Sequence, residues 1–272
     1  MSRSGYYAWK QAAAKRNAKE AADAIIITAI ETHLKKHIGT YGYRQMTMQL
    51  RTYGYVVNHK RMARVMKTYG MQGQIRTANP YKQIMKKTQE HRTCPNLLNR
   101  QFNQKEPELV AGTDITYVWV PALRRFIYLS VVKDFASGEI LSHVVSRSLS
   151  MPLVFKTITL LTKRLGDKVE GFMLHSDQGF HYTNPRYQHK LKEHQMIQSM
   201  SRKGNCIDNA ATETFFGHMK DELDLSACMS VSEVQIVIAT YMSYYNSTRK
   251  QWHRKKMAPI DYRNHLLATA ST

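Results

Sequence analysis

The sequence predicts an α/β fold: a mixed five-stranded sheet with flanking helices, preceded by a small α-helical, helix-turn-helix-like domain. Three observations point there. Residues 109–120, 126–134 and 140–146 are β-rich runs separated by turn-like segments at 121–125 and 136–138. After them, helix-period and strand-like segments alternate. Ahead of them, residues 1–107 hold twenty Lys and Arg against five Asp and Glu, and their first part has a helix-favouring composition.

Taken in order, residues 5–35 mix Ala, Lys and apolar residues, with Ile25, Ile26, Ile27, Ile30 and Leu34 as an apolar stripe. Residues 43–52 and 58–69 read as two helices about a turn at 53–55. Asn58 is the expected N-cap of the second, and Met62, Val65, Met66 and Tyr69 its buried face. His59, Lys60, Arg61, Arg64 and Lys67 decorate that helix, as a helix lying in a major groove needs. A helical hairpin with a solvated basic face is the plain alternative. Residues 71–107 are polar and basic and carry Pro80, Pro95 and Pro107, which reads as a linker. Its Lys82, Lys86, Lys87, Arg92 and Arg100 either track phosphates or are simply solvated. Beyond the three strands come a helix at 152–165 with Pro152 in its first turn, a strand ending at Asp177, and a helix near 185–194. A strand at 196–200, a helix through Glu213 and a long helix at 231–247 complete the core. The expected domains are therefore 1–70, 71–107 and 108–272.

Forty Lys and Arg against twenty Asp and Glu give the 272-residue chain a net charge of +20, which calls for a polyanionic partner. The excess is uneven: +15 in residues 1–107 and +5 in the remainder. The first third is accordingly the better candidate for phosphate contact. No apolar run approaches the roughly twenty residues of a membrane span, and no signal-peptide core opens the chain. Cys94, Cys206 and Cys228 are widely spaced and form no Cys-x-x-Cys pair, so they read as reduced cytosolic thiols.

The chemistry concentrates between residues 174 and 222. Asp177 ends the apolar run Gly171-Phe-Met-Leu174 at a turn-like Asp-Gln-Gly. Glu213 lies in a segment opened by Asp208 as N-cap and continued by Phe215, Phe216 and Met219 at helical spacing. Phosphodiester chemistry with two divalent cations needs acidic oxygens from separate elements, because Mg²⁺ prefers hard oxygen donors. Asp114, inside Thr113-Asp-Ile-Thr-Tyr117, supplies a third. The bland alternative makes Asp114 and Asp177 strand-end residues and Glu213 a surface acid. Lys220, two helical turns beyond Glu213, shares its face. Arg202 and Lys203 lie with Gly204 in Ser201-Arg-Lys-Gly-Asn205, a flexible loop suited to phosphate contact. His175 reads as a packed histidine rather than a ligand, and Asn209 lies near the acids. Tyr241, Tyr244, Tyr245 and Trp252 read as core packing, with base stacking the alternative.

These residues resemble the OrfB transposases of the IS-three insertion-sequence family, whose catalytic core is shared with retroviral integrases. Thirty-five residues separate Asp177 from Glu213, the interval of that family's Asp-Asp-Glu signature. The likeness extends through Ser2-Arg-Ser-Gly-Tyr-Tyr-Ala-Trp9, Gly39-Thr-Tyr-Gly-Tyr-Arg44, Pro95-Asn-Leu-Leu-Asn-Arg100, His175-Ser-Asp-Gln-Gly179, Ser199-Met-Ser-Arg202, Asp208-Asn-Ala210 and Tyr245-Asn246-x-x-Arg249. Ala111 stands where the family often has Trp, and Gln251 where His is common.

The resemblance implies a ribonuclease H-like core and a DNA transposase. Asp114, Asp177 and Glu213 are expected to hold two Mg²⁺ ions about 4 Å apart, with Mn²⁺ as a substitute. Strands are nicked at the element's ends and a 3′-hydroxyl is joined to a new phosphodiester, with no covalent protein–DNA intermediate. It further implies double-stranded DNA ends and target as partners, a homo-oligomer on DNA, an upstream-frame protein that carries the main end-recognition module, and a bacterial cytoplasmic, nucleoid-associated location. Lys220 is expected to orient phosphate. A ribonuclease H-type nuclease and a catalytically silent DNA-binding regulator are the rival readings.

Overall fold

Alternation of apolar residues builds the central sheet. In the computed structural model, which describes residues 2–37, 39–73, 93–202 and 210–270, β1 (Val110–Val120), β2 (Arg125–Asp134) and β3 (Ile140–Ser146) form an antiparallel meander. β4 (Met173–Ser176) pairs parallel with β1, and β5 (Ile197–Met200) pairs parallel with β4. The described residues thus give a five-stranded sheet in the order β3-β2-β1-β4-β5. This is the mixed sheet that the run of three strands followed by alternation predicts.

Each sheet face has its own core. Val118, Val120, Ile127, Leu129 and Val131 point to one face, where Phe215, Phe216 and Met219 of α8 (Ala210–Glu222) and Val234, Ile238, Tyr241 and Tyr245 of α9 (Val231–Ser247) cover them. Ala111, Val132, Leu141 and Leu174 face α5 (Met151–Leu165) and α7 (Pro185–Glu193) on the other. Tyr241 and Tyr245 are core residues, which is the packing role expected of them. α6 (Phe180–Thr183) is one turn after Asp177, and α10 (Pro259–Ala270) is tied back by an Arg263–Glu139 ion pair at 2.8 Å.

Both outer strands carry partners along part of their free edge. Along β3, the Asn246 side-chain amide accepts from the Ile140 N–H at 2.9 Å and donates to its C=O at 3.0 Å, while Gln235 Nε2 donates to Val145 O at 3.3 Å. Along β5, Met200 N–H donates to Pro95 O at 3.3 Å, and the Leu97 and Leu98 N–H groups donate to Ser199 Oγ at 3.0 and 3.2 Å. Residues 93–107, expected as the end of a linker, therefore belong to the core: Leu98 is buried and Phe102 packs edge-on against Phe135.

The chain divides into two compact units, residues 1–77 and 78–272. The first contains α1 (Arg3–Gln11), α2 (Ala13–Leu34), α3 (Tyr43–Thr52) and α4 (His59–Thr68). Asn58 caps α4 as expected, its Oδ1 accepting from Arg61 N–H at 2.7 Å. Met62, Val65 and Met66 are buried; Tyr69 falls at the C-cap and is exposed, so it leaves the expected stripe. In α2, Ile26, Ile30 and Leu34 are buried but Ile25 is exposed, since 3.6-residue periodicity cannot turn neighbouring isoleucines to one face. Lys82, Lys86, Lys87, Arg92, Lys203, Gly204, Cys206, Asp208 and Asn209 lie outside the described residues.

Candidate active site and nucleic-acid contacts

Neighbouring parallel strands carry two of the three acids. Ala111 is opposite Leu174 and Gly112 opposite His175 in the parallel β1–β4 pair. Asp114 lies two residues past Gly112 on β1, and Asp177 two past His175, just beyond the end of β4, so both aspartates follow the last paired residues of these neighbouring strands on the same side. Asp177 immediately follows β4 and opens the turn to α6; Gly179 N–H donates to its Oδ1 at 2.8 Å. Asp114 Oδ1 accepts from Ile115 N–H at 2.7 Å.

The third acid arrives on a helix. Glu213 occupies the first turn of α8, which packs on β1. A Cβ added at Gly112 would lie 2.7 Å from both Thr212 Oγ1 and the Phe135 ring, distances no real Cβ tolerates. Glycine at 112 is therefore what lets the first turn of α8 seat itself on the strand, two residues before Asp114. α8 then runs along β1, and Lys220 Nζ lies 4.9 Å from the Tyr117 ring centroid.

Tyr182 reports on the same point. Burial pushes its phenol well above the ordinary range, and the charges of Asp114, Tyr187 and Asp177 raise it further, beside Thr113. One buried hydroxyl thus feels both aspartates. His181, also buried, has its basicity lowered by burial, against a backbone hydrogen bond to Leu149 and the charge of Asp177, which raise it. Tyr182 stood in the sequence as part of the family-like pair Tyr182-Thr183, with no role assigned, and His181 was not singled out. The signal was their position four and five residues after Asp177 in the turn that closes the site.

His175 is fully buried, with Nδ1 2.9 Å from Ser199 Oγ. That oxygen also accepts from the Leu97 and Leu98 N–H groups at 3.0 and 3.2 Å. His175 thereby fastens β4 to β5, a packed role as expected.

As a donor set, two aspartates from neighbouring strands and a glutamate from the adjoining helix suit hard divalent cations. Among the described residues, no group of three or more His, Cys, Asp and Glu side chains stands close enough to hold a metal ion. Asp114 and Asp177 lie just past the paired parts of β1 and β4, and α8 carries Glu213 on the helix packed against β1.

In the first unit, two cations on the basic face of α4 also have a partner on α2. Arg64 donates to both oxygens of Asp23, at 2.7 and 2.8 Å, and Arg61 reaches Oδ1 twice at 3.2 Å. Asp23 on α2 is only 2% exposed, and the Arg64 bond, against the cost of burial and with the Arg61 bond, holds its carboxyl below the usual range. Arg61 and Arg64 therefore clamp α4 to α2 rather than standing as a purely solvated groove face, because a buried carboxylate needs charge-paired donors. Lys60 and Lys67 are exposed, as is Arg202 in the second unit.

Comparison with known proteins adds to this geometry. The HTH-like domain family matches residues 20–79, and the integrase core domain family matches residues 104–206 and 213–267. The putative transposase InsK for insertion sequence element IS150 of Escherichia coli K12 is 39% identical over 227 residues, covering 83% of this chain and 78% of InsK. Transposase InsF for insertion sequence IS3A of the same organism is 26% identical over 276 residues, covering 98% and 92%. Among solved structures, a chain of the simian T-cell lymphotropic virus intasome in complex with PP2A regulatory subunit B56 gamma aligns with a TM-score of 0.48 at 13% identity, over 86% of this chain and 74% of that one. Among the described residues, no helix is long and apolar enough to cross a membrane.

Proposed function

The chain belongs to the IS-three family of insertion-sequence transposases, and on that premise we propose that Asp114, Asp177 and Glu213 carry a metal-dependent cleavage and joining of DNA strands at the element's ends. The observation that supports the assignment is that Asp114 and Asp177 both follow the paired ends of β1 and β4 and both act on the buried Tyr182, with the Glu213 turn of α8 seated at Gly112. Divalent cations, two Mg²⁺ in this reading with Mn²⁺ as a substitute, would activate the attacking oxygen and stabilise the leaving one. The three carboxylates hold the charge that such ions need and do not themselves attack phosphorus. Water or a 3′-hydroxyl is the nucleophile; its oxygen forms the new P–O bond while the bond to the departing strand breaks and the 3′ oxygen leaves. Lys220 neutralises a phosphate of the same strand, and Arg202 and Lys203 contact the backbone beside it. In the first unit, Lys60 and Lys67 touch phosphate directly, while Arg61 and Arg64 fix the angle of α4 through Asp23. Residues 1–70 act as the DNA-binding region and the core acts on the ends and the target, as a homo-oligomer on DNA with an upstream-frame protein.

The test is a strand-transfer assay on the element's own ends. Asp114→Asn, Asp177→Asn and Glu213→Gln should each abolish cleavage and joining, by at least a thousandfold, while DNA binding stays equal or tightens slightly. Chelation of divalent cations should do the same to the unaltered chain. Joining retained in Asp177→Asn removes that residue from the site. Cleavage without joining supports a nuclease, and binding without either supports a silent regulator.

A further inference from the structure

On the β1–β2 hairpin three large rings stand in solvent: Tyr117, Trp119 and Phe126 are 41, 49 and 44% exposed. Register explains their grouping. Trp119 is paired with Phe126 and Tyr117 with Tyr128 across the antiparallel ladder, so all project from one face. The Phe126 centroid lies 5.2 Å from that of Tyr117 and 5.0 Å from that of Trp119, each edge to face. The three form a continuous row. The core does not use them: the buried residues on this face, Ala111, Val132 and Leu141, lie toward the other end of the strands, under α5. A contiguous exposed apolar row on a charged surface marks a binding site.

The setting is cationic. Lys220 Nζ sits 4.9 Å from the Tyr117 centroid, and Arg124 and Arg125 are exposed where β1 turns into β2. No acid occurs between Asp114 and Asp134 in the sequence. Asp114 itself lies three residues before Tyr117 on the same strand.

We propose that Tyr117, Trp119 and Phe126 form a stacking platform for unpaired bases of a DNA strand, whose phosphates are taken by Lys220 and Arg125. Bases inside a duplex have both faces covered by their neighbours, so only splayed or single-stranded bases can lie on a protein ring. Stacking is indifferent to base identity, which suits a site that handles any strand reaching the hairpin. A second copy of this chain fits worse, since it would bring another +20 against the same Lys and Arg side chains. The proposal rests on the DNA-processing reading above, and places a single-strand subsite along β1 from its acidic end.

The experiment reads binding alone, with the full chain and EDTA present so that no cleavage occurs. Two duplexes of one sequence are compared, one blunt and one with a four-nucleotide unpaired 3′ tail. The unaltered chain should prefer the tailed duplex. The W119A/F126A variant should bind it about tenfold more weakly, with blunt-duplex affinity and its salt slope unchanged. Unchanged affinity for the tail overturns the proposal, as does equal weakening toward both duplexes. A change in sedimentation mass of the free variant, with tail preference intact, also overturns it and assigns the face to self-association. As a second measurement, a W9F/W252F chain leaves Trp119 as its one indole. Tailed DNA should quench that emission; steady emission on saturation overturns the proposal. Because the readout needs no metal or cleavage, failure of Asp177→Asn to block joining would overturn the catalytic assignment and leave this result standing.

Discussion

Lys133 shows what a single residue in this core is made to tolerate. It lies on β2 opposite Gly112 and is buried, with Nζ 5.9 Å from the Phe215 ring centroid. Burial pushes its ammonium down to about 7 from 10.5, and the charges of Arg254 and Arg249 deepen the fall. Between those two values the unfolded chain holds a proton that the folded chain has released. Folding stability from this group therefore rises as pH goes from about 7 toward 10.5, and is at its lowest at and below about 7. Lys133→Met, neutral at every pH, should be more stable than the unaltered chain near pH 7, by roughly 5 kcal/mol at most. That advantage should shrink toward zero near pH 10. Urea unfolding at both pH values checks it, and an equal difference at both would exclude titration as the cause. Such a residue is not legible in sequence, where Lys133 reads only as one more cation. The same blindness hid the Arg61–Asp23–Arg64 clamp, whose members lie 38 and 41 positions apart.

At the scale of the element, the position of α8 depends on α9. Arg249, just past the end of α9, donates through Nη2 to Glu222 Oε1 at 2.6 Å and through Nε to both carboxylate oxygens at 2.9 Å. Tyr241 of α9 adds its hydroxyl to Glu222 Oε2 at 3.1 Å. The pair is nearly dry, with 9 and 3% of the two side chains exposed. Removing one partner of a buried pair costs about 3–5 kcal/mol. Glu222→Gln should accordingly lower the melting temperature by roughly 6–15 °C, measured by thermal unfolding. It should also slow strand joining more than it weakens DNA binding, because α8 carries both Glu213 and Lys220. Loss of both in equal measure would mean that α8 is held some other way. The motif Tyr245-Asn246-x-x-Arg249 was visible in the sequence; its purpose was not, since Glu222 and Ile140 are distant along the chain. Strands and capped helices were legible because their periodicity and Asn58 are local signals. α10 was missed because Pro259 is its one buried residue and no apolar stripe announces it.

For the whole molecule, the uneven charge becomes a prediction. A fragment starting at residue 93 keeps the Leu97–Leu98 contacts with β5, which a start at 108 would cut away. Without the first compact unit it should bind duplex DNA more weakly, and its affinity should fall less steeply with salt, since fewer counterions are displaced. Equal slopes for fragment and full chain in a salt titration would place the phosphate contacts in the core instead. The outer strands β3 and β5 bear on crowding. A protein whose copies collect on one DNA molecule meets itself at high local concentration, where bare strand edges template cross-β aggregation. Asn246 and Gln235 stand in for a neighbouring strand on one side, and residues 95–98 do so on the other. Those contacts leave fewer bare strand positions for a second sheet to pair with, so crowding on DNA should not drive the sheets of neighbouring copies into one another.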